Sequence, residues 1–340
     1  MRTLLLVDDD PQTLASLREA LGGEFHLVYA TNGAEALHAA TQLMPSLIVL
    51  DISLPDVDGI EVCRRLKARP VTREIPVIFV TGLSEGQIGV EGFNAGGVDF
   101  ISKPILPDLV LARVKSHLSH VQIDRLESAY IDAISMLAIA GEYKDSNTGL
   151  HTKRMAAMSG CLAKNAGWRA ERAELMEYAA AMHDIGKIGI SGSILLKPGP
   201  LNSEEWEEMR RHPQLGHDIL SVSDAPVFQL AAEIALCHHE RWDGKGYPNG
   251  LAGSDIPQSA RIVALADVFD ALTSERPYKK AWSIEEAAAY IQSQSGSHFD
   301  PSLVELLIQV LPELVAIKNH WDSKQDALQA FGENSTSANA

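Results

Sequence analysis

Five short apolar runs, Thr3 to Val7, Phe25 to Tyr29, Ser46 to Leu50, Pro76 to Val80 and Val98 to Ile101, recur through the first third of the chain. Between them lie Leu14 to Leu21, Ala34 to Leu43, Ile60 to Ala68 and Gln87 to Asn94, each with apolar residues returning every three or four positions. A run apolar at every position suits a strand covered on both faces, and a three-to-four repeat suits a helix that covers it. With a helix after the last run, the pattern predicts five strand-then-helix repeats over residues 1–120, a parallel sheet wrapped by helices.

From about Leu109 the strand signal stops. Leu111, Val114, Leu118 and Val121 recur at helical spacing, followed by a second stripe through Leu126, Ile131, Ile134 and Leu137. The reading is a linker helix over 121–140 whose stripe either pairs with a second copy of the chain, although Arg125 and Ser128 interrupt the heptad, or packs on its own domain. Beyond it, Leu162 to Met182 with a break at Gly167, Ser203 to Ser221, Val227 to His239, Ala260 to Ser274 and Ile284 to Gln292 read as helices. They predict an all-α domain over 141–325. Residues 332–340 are small and polar and are expected to be disordered.

A length of 340 residues suits two domains better than one. The formal charge of -16, with no basic run, argues against a nucleic-acid partner. Three cysteines, Cys63, Cys161 and Cys237, are too few and too scattered for a disulfide framework. The apolar run at the start is too short for a signal segment, and no stretch is long enough to span a bilayer, so the expected compartment is the cytoplasm.

Ligands of parallel sheets bind beyond the carboxyl ends of the strands. Here those ends carry Asp8 and Asp9, then Asp51, then Thr81, then Lys103 followed by Pro104. Three converging carboxylates repel one another unless a hard divalent cation sits among them, and Mg2+ suits an all-oxygen site. Asp51 is then placed as a nucleophile towards a phosphoryl group, with Thr81 donating to it and Lys103 pairing with a remaining oxygen. The runs Val7-Asp8-Asp9-Asp10, Asp51-Ile52-Ser53-Leu54-Pro55 with Gly59, Thr81-Gly82 and Lys103-Pro104 resemble the receiver domains of two-component response regulators. That resemblance implies a doubly wound, flavodoxin-like fold and phosphotransfer from a cognate histidine kinase to Asp51. It also implies Mg2+ held by Asp8, Asp9, Asp51 and the Ser53 carbonyl, and a readout through Thr81 and Phe100. Phe100 reads equally well as a half-buried strand aromatic.

The second domain holds His151, His183, His212, His238 and His239, with acidic neighbours Asp184 and Glu240 and with Asp267 downstream. Such a mixed nitrogen and oxygen set, with more than four members, points to two transition ions, iron or manganese, rather than one calcium. Neighbours on a helix diverge by about 100 degrees, so His183 and Asp184 serve different metals, or Asp184 bridges two through its two oxygens. Gly186 and Gly189 lie where backbone must approach a ligand closely.

The stretches His183-Asp184-Ile185-Gly186-Lys187 and His238-His239-Glu240-Arg241-Trp242-Asp243-Gly244-Lys245-Gly246-Tyr247-Pro248 look like the two signatures of the HD-GYP family of HD phosphohydrolases. The likeness runs from about Gly141 to Phe299 and includes Arg211-His212-Pro213 and Ala266-Asp267-Val268-Phe269-Asp270. It implies metal ligation by His151, His183, Asp184, His212, His238, His239 and Asp267, with Asp184 bridging, and hydrolysis of cyclic di-GMP to linear pGpG and onward to GMP. Asp184 and Lys187 are the implied catalytic pair. Lys187, Gly246, Tyr247, Asp270, Arg276 and Lys279 are the implied substrate contacts. Asn147 stands where some relatives carry a third-metal glutamate, so two metals are expected. Tyr247 is either a loop tip facing substrate or partner, or a turn residue covering a core edge.

The combined reading is a response regulator that hydrolyses cyclic di-GMP under control of Asp51 phosphorylation. Diguanylate cyclase (GGDEF) proteins and a second copy of the chain are the expected partners beyond the kinase. The alternative is a catalytically weak signalling module that binds cyclic dinucleotides or proteins. A third reading keeps the enzyme and changes the substrate to another cyclic dinucleotide, such as the mixed GMP-AMP form.

Overall fold

A computed structural model of the chain describes residues 1–82, 85–142, 150–275 and 280–336. They form two compact units, Met1–Ala129 and Tyr130–Ala340.

The first unit alternates β1 (Thr3–Val7), α1 (Pro11–Leu21), β2 (His26–Ala30), α2 (Gly33–Leu43), β3 (Leu47–Asp51), α3 (Gly59–Ala68), β4 (Val77–Thr81), α4 (Glu85–Asn94), β5 (Asp99–Ser102) and α5 (Pro107–Glu142). All strand pairs are parallel, in the order β2-β1-β3-β4-β5. Successive strand residues go to opposite faces. Leu5, Val7, Ile48, Leu50, Val77 and Phe79 therefore pack with Ala36, Ala40, Val62 and Leu66 of α2 and α3. Leu4, Leu6, Leu47, Val49, Ile78 and Val80 pack with Leu17 and Leu21 of α1 and Val110, Val114 and Leu118 of α5. Both faces are covered, which is why the strands read as unbroken apolar runs. The strand order reverses between β1 and β3, and the ends of those two strands carry Asp8 and Asp51.

The second unit is helical. After the end of α5 come α6 (Leu150–Asn165), α7 (Ala170–Ala180), a 3-10 turn at Ile185–Gly189, α8 (Gly192–Leu195), α9 (Ser203–Met209) and α10 (His212–Leu220). Next are α11 (Pro226–Cys237), a 3-10 turn at Gly253–Asp255, α12 (Gln258–Thr273), α13 (Ile284–Ser293), α14 (Pro301–Gln309) and α15 (Leu311–Thr336). Its core joins Met155, Met158 and Leu162 of α6, Met176 of α7, Ile234 of α11, and Ile262, Leu265 and Phe269 of α12.

The structure differs from the sequence expectations in three places. The helix expected over Ser203 to Ser221 breaks before His212, because Pro213 in the first turn of α10 cannot donate to a preceding helix. The linker expected over 121–140 is the continuation of α5, and its Ile134 and Ala138 are buried in the second core, so that unit begins before residue 141. The end of the chain, expected without structure from 332, stays helical to Thr336. Once a helix is nucleated each further residue gains a backbone bond. Residues 337–340 lie outside the described residues.

Candidate metal centres

In the first unit β1 ends at Asp8 and Asp9, β3 ends at Asp51, and one carboxylate oxygen from each lies within 4.8 Å of the others. Asp8 and Asp51 are buried, and Asp9 is exposed. The Lys103 ammonium, just beyond β5, is 2.9 Å from Asp8 Oδ2 and 3.1 Å from Asp51 Oδ2. Burial, with the Asp8 charge adding to it, raises the Asp51 carboxyl above the ordinary range despite Lys103. Three acidic groups facing one lysine fit a hard cation that would supply the missing positive charge. Gly59 opens α3 where a Cβ would stand 2.1 Å from the Asp51 carbonyl oxygen, so only glycine lets the helix start there. Thr81 is buried at the end of β4, and Ser53 is exposed just after β3. Phe100 is half-buried, meeting Phe93 edge to face at 6.4 Å, with the Arg113 guanidinium 5.9 Å from its ring centre.

In the second unit the polypeptide leaves α7 in a turn that presents His183 and Asp184 and then tightens into the 3-10 turn. The Asp184 carboxylate divides its oxygens. Oδ1 lies 3.3 Å from His212 Nε2 and 3.6 Å from His238 Nε2. Oδ2 lies 3.2 Å from His183 Nε2 and 2.7 Å from the Lys187 ammonium. His239 Nε2 is 3.1 Å from His212 Nε2, and Asp184, His212, His238 and His239 form one cluster of potential ligands.

The orientation of these rings follows from local backbone. His183 Nδ1 is 3.0 Å from the Ala180 carbonyl oxygen, His212 Nδ1 2.7 Å from that of Met209 and His238 Nδ1 3.0 Å from that of Ala235. A carbonyl only accepts, so each Nδ1 donates and each Nε2 carries the lone pair towards Asp184. Asp184 Oδ1 and His238 Nε2 are buried without a hydrogen bond, the condition of atoms that serve a cation. Burial pushes the His212 ring down to about 4, and burial with the neighbouring His238 and His212 holds His239 well below its usual range. Both rings are neutral, as ligands must be. Burial alone would raise Asp184, but Lys187 and His183 hold its carboxyl well below the usual carboxylate range.

His151 and Asp267 form a second group. His151 Nε2 is 3.4 Å from Asp267 Oδ1, while its Nδ1 donates to Asp270 Oδ2. Burial opposes the charged ring, yet the bonds to Asp267 and Asp270 carry it up to about 10. A bound cation would displace that proton. Asp270, expected among the substrate contacts, is fully buried, and its oxygens are taken by His151 and Arg154. It faces inward and holds the ring of a candidate ligand histidine. Its spacing of three residues after Asp267 on α12 was the signal, since that separation returns to the same face.

Gly186 also has a different neighbour from the one expected. A Cβ there would meet the His212 carbonyl oxygen at 2.0 Å and the Gly216 nitrogen at 2.5 Å, so it permits the 3-10 turn to press on α10, and Gly189 lies against Leu215. Gly246 packs on the 239–241 backbone, where a Cβ would stand 2.4 Å from the Arg241 nitrogen. The Tyr247 ring is partly buried and stacks on His239 at 4.7 Å, with the Arg210 guanidinium 5.2 Å from its centre. It therefore braces a candidate ligand as well as edging the site. Glu240, which the sequence offered only as an acidic neighbour of the histidines, is buried and accepts from the Asn249 and Leu251 backbone N–H groups, pinning the loop that carries Tyr247. Arg276, Lys279 and Asn147 lie outside the described residues.

Comparison with known proteins gives two family matches, a response regulator receiver domain over residues 4–115 and an HD domain over residues 136–303. The cyclic di-GMP phosphodiesterase response regulator RpfG of Xanthomonas campestris pv. campestris is 38% identical, over 92% of this chain and 89% of that protein. A cyclic di-GMP phosphodiesterase of Thermotoga maritima is 36% identical, over 93% of this chain and 92% of that protein. The 3'3'-cGAMP-specific phosphodiesterase 2 of Vibrio cholerae is 46% identical, over 54% of this chain and 35% of that protein. No described helix is long and apolar enough to cross a membrane.

Proposed function

Since the chain belongs to the family of cyclic di-GMP phosphodiesterase response regulators, a receiver domain followed by an HD domain, we propose that it hydrolyses cyclic di-GMP at a binuclear centre controlled by phosphorylation of Asp51. The observation that carries this reading is the division of Asp184, one oxygen turned to His212 and His238 and the other to His183 and Lys187. A carboxylate so divided suits a bridge between two cations. His212, His238 and His239 serve one side, and His183, with the His151 and Asp267 group, serves the other.

Iron or manganese ions held there would offset the negative charge that develops on the phosphoryl oxygens and lower the pKa of the attacking water. The histidines hold their Nε2 lone pairs towards the ions through backbone-anchored Nδ1 atoms. Lys187 carries its ammonium at the edge of the pair, where it holds a phosphate oxygen and gives a proton to the leaving oxygen as the ester bond breaks. Tyr247 shields His239 from water and presents its hydroxyl side to the dinucleotide. The products are linear pGpG and then GMP.

In the receiver, Asp8, Asp9, Asp51 and the Ser53 carbonyl would hold Mg2+, and Asp51 would take the phosphoryl group as its bond to the kinase histidine breaks, with Thr81 and Lys103 meeting its oxygens. Ile123, Leu126, Tyr130 and Leu137 are exposed on α5 at intervals of three, four and seven, which supports pairing with a second copy.

Anaerobically purified chain, loaded with iron or manganese, is expected to convert cyclic di-GMP to pGpG, and His183→Ala to abolish the conversion. A metal-loaded wild type that binds cyclic di-GMP without product would overturn its hydrolysis and leave the signalling-module reading or a different cyclic dinucleotide as substrate. The likeness to a 3'3'-cGAMP-specific enzyme supports a second reading of the same site, with the mixed dinucleotide as substrate. Competition between the two dinucleotides in one assay separates these.

A further inference from the structure

The interior of the second unit contains a line of charged groups that the hydrolytic step does not use. His151 Nδ1 donates to Asp270 Oδ2, and Arg154 grips Asp270 with a fork, Nε on Oδ1 and Nη2 on Oδ2 at 2.9 Å. The same guanidinium donates to Ser274 Oγ at 2.6 Å and through Nη1 to Asp322 Oδ1 at 3.0 Å. Asp322 belongs to α15 and is held in turn by Lys318. Asp270 and Arg154 are 0% and 4% exposed, so water does not compete for the bonds between them, while the Asp322 side chain at the far end of the line is 38% exposed.

We propose that Arg154 is a positioning residue for His151, and that α15, through Asp322, is part of the support of the metal site. The inference rests on reading His151 as a metal ligand. An imidazole held at Nδ1 still turns if its acceptor turns, and a carboxylate rotates about its last carbon–carbon bond. A guanidinium lying side-on against both oxygens fixes that plane, which the single ammonium of lysine cannot do. The guanidinium would itself pivot unless its far edge were tied, and Asp322 and Ser274 tie it. The His151 Nε2 lone pair is thereby aimed beside Asp267 by three successive contacts, the last from a helix otherwise remote in sequence from every ligand.

The test uses full-length chain stripped with chelator, with Mn2+ affinity measured by competition against a chromophoric chelator and melting followed by circular dichroism. Loss of an orienting partner costs on the order of 10–100-fold in metal affinity. Arg154→Lys is expected in that range, and the milder Asp322→Asn at about threefold or more. In a His151→Ala background the Asp322→Asn loss should vanish, because coupled residues are not additive. Leu303→Ala, a core change away from this line of contacts, should lower the melting temperature and leave Mn2+ affinity unaltered. The proposal is overturned if Asp322→Asn shifts affinity by less than threefold, or by the same factor with and without His151. If Arg154→Lys does not fold, Asp322→Asn decides alone. If His151→Ala itself binds Mn2+ like the wild type, the ligand assignment fails rather than the clamp alone.

Discussion

Replacing Gly186 by alanine tests how the 3-10 turn brings Asp184 to His212. The added Cβ would stand 2.0 Å from the His212 carbonyl oxygen and 2.5 Å from the Gly216 nitrogen, where ordinary contact begins at 3.4 Å. Both neighbours are backbone atoms of α10, so no side chain can swing aside, and the turn must retreat by roughly 1.4 Å. Overpacking of this kind costs about 1–3 kcal/mol. For a unit of this size that is roughly 2–12 °C in melting temperature. The retreat separates Asp184 Oδ1 from His212 and His238, and a displacement near 1 Å at a reacting centre costs on the order of 10²-fold in rate. Gly192→Ala is the control, since a Cβ there meets nothing within 4 Å. The assays are thermal melting, Mn2+ affinity and kcat/KM with cyclic di-GMP for the two variants side by side. Gly186→Ala protein that melts, binds metal and turns over like Gly192→Ala would refute the argument that this glycine sets the distance between the two halves of the site.

Gly59→Ala should block acyl phosphate formation at Asp51 without unfolding the second unit, because its Cβ would displace the Asp51 backbone; acetyl-phosphate labelling followed by mass measurement reads this. Burial, with Arg241 nearby, pushes the His298 ring down to about 4, so between its ordinary value and 4 the unfolded chain takes up a proton that the folded chain refuses. Stability should therefore be full above about 6.5 and fall as pH drops through that window. His298→Gln should flatten the slope, as measured by urea unfolding at several pH values. Burial pushes the Cys63, Cys161 and Cys237 thiols up to about 11, so native protein at pH 8 should react slowly with a disulfide reagent and release three equivalents only when unfolded.

The parallel sheet was legible because β1, β3 and β4 are buried along nearly their whole length, which calls for apolar residues at successive positions, whereas the edge strands β2 and β5 are partly exposed. The sequence also presented the candidate ligand histidines, and the Nδ1 anchors of His183, His212 and His238 are local, since the acceptors are carbonyls three residues back in the chain. The spacing argument for His183 and Asp184 rests on helix geometry, whereas the chain there is a turn. What could not be read were partners distant in sequence. Arg154 and Asp270 are 116 residues apart, and Arg154 and Asp322 are 168 apart. No periodicity links such residues, and each alone reads as a solvated charge.

Asp270 shows the physical cost of that gap. A carboxylate among the motifs of a phosphate-binding domain was taken for a substrate contact, yet burial without compensation would make an ionised Asp270 prohibitive. The fold admits it because Arg154 lies against both oxygens and His151 adds a third bond. Its charge is therefore spent inside the protein, on the ring it orients, and not on the dinucleotide. The same reasoning separates Lys187 from Arg154. Lys187 is on a short turn beside Asp184 at the rim of the candidate metal site, whereas Arg154 is sealed beneath His151. Both cations neutralise an aspartate, but only the one at the rim can exchange that aspartate for a phosphate oxygen. On this argument Lys187→Ala should lower kcat at nearly unchanged Mn2+ affinity, while Arg154→Lys should lower Mn2+ affinity and recover part of its activity at saturating metal.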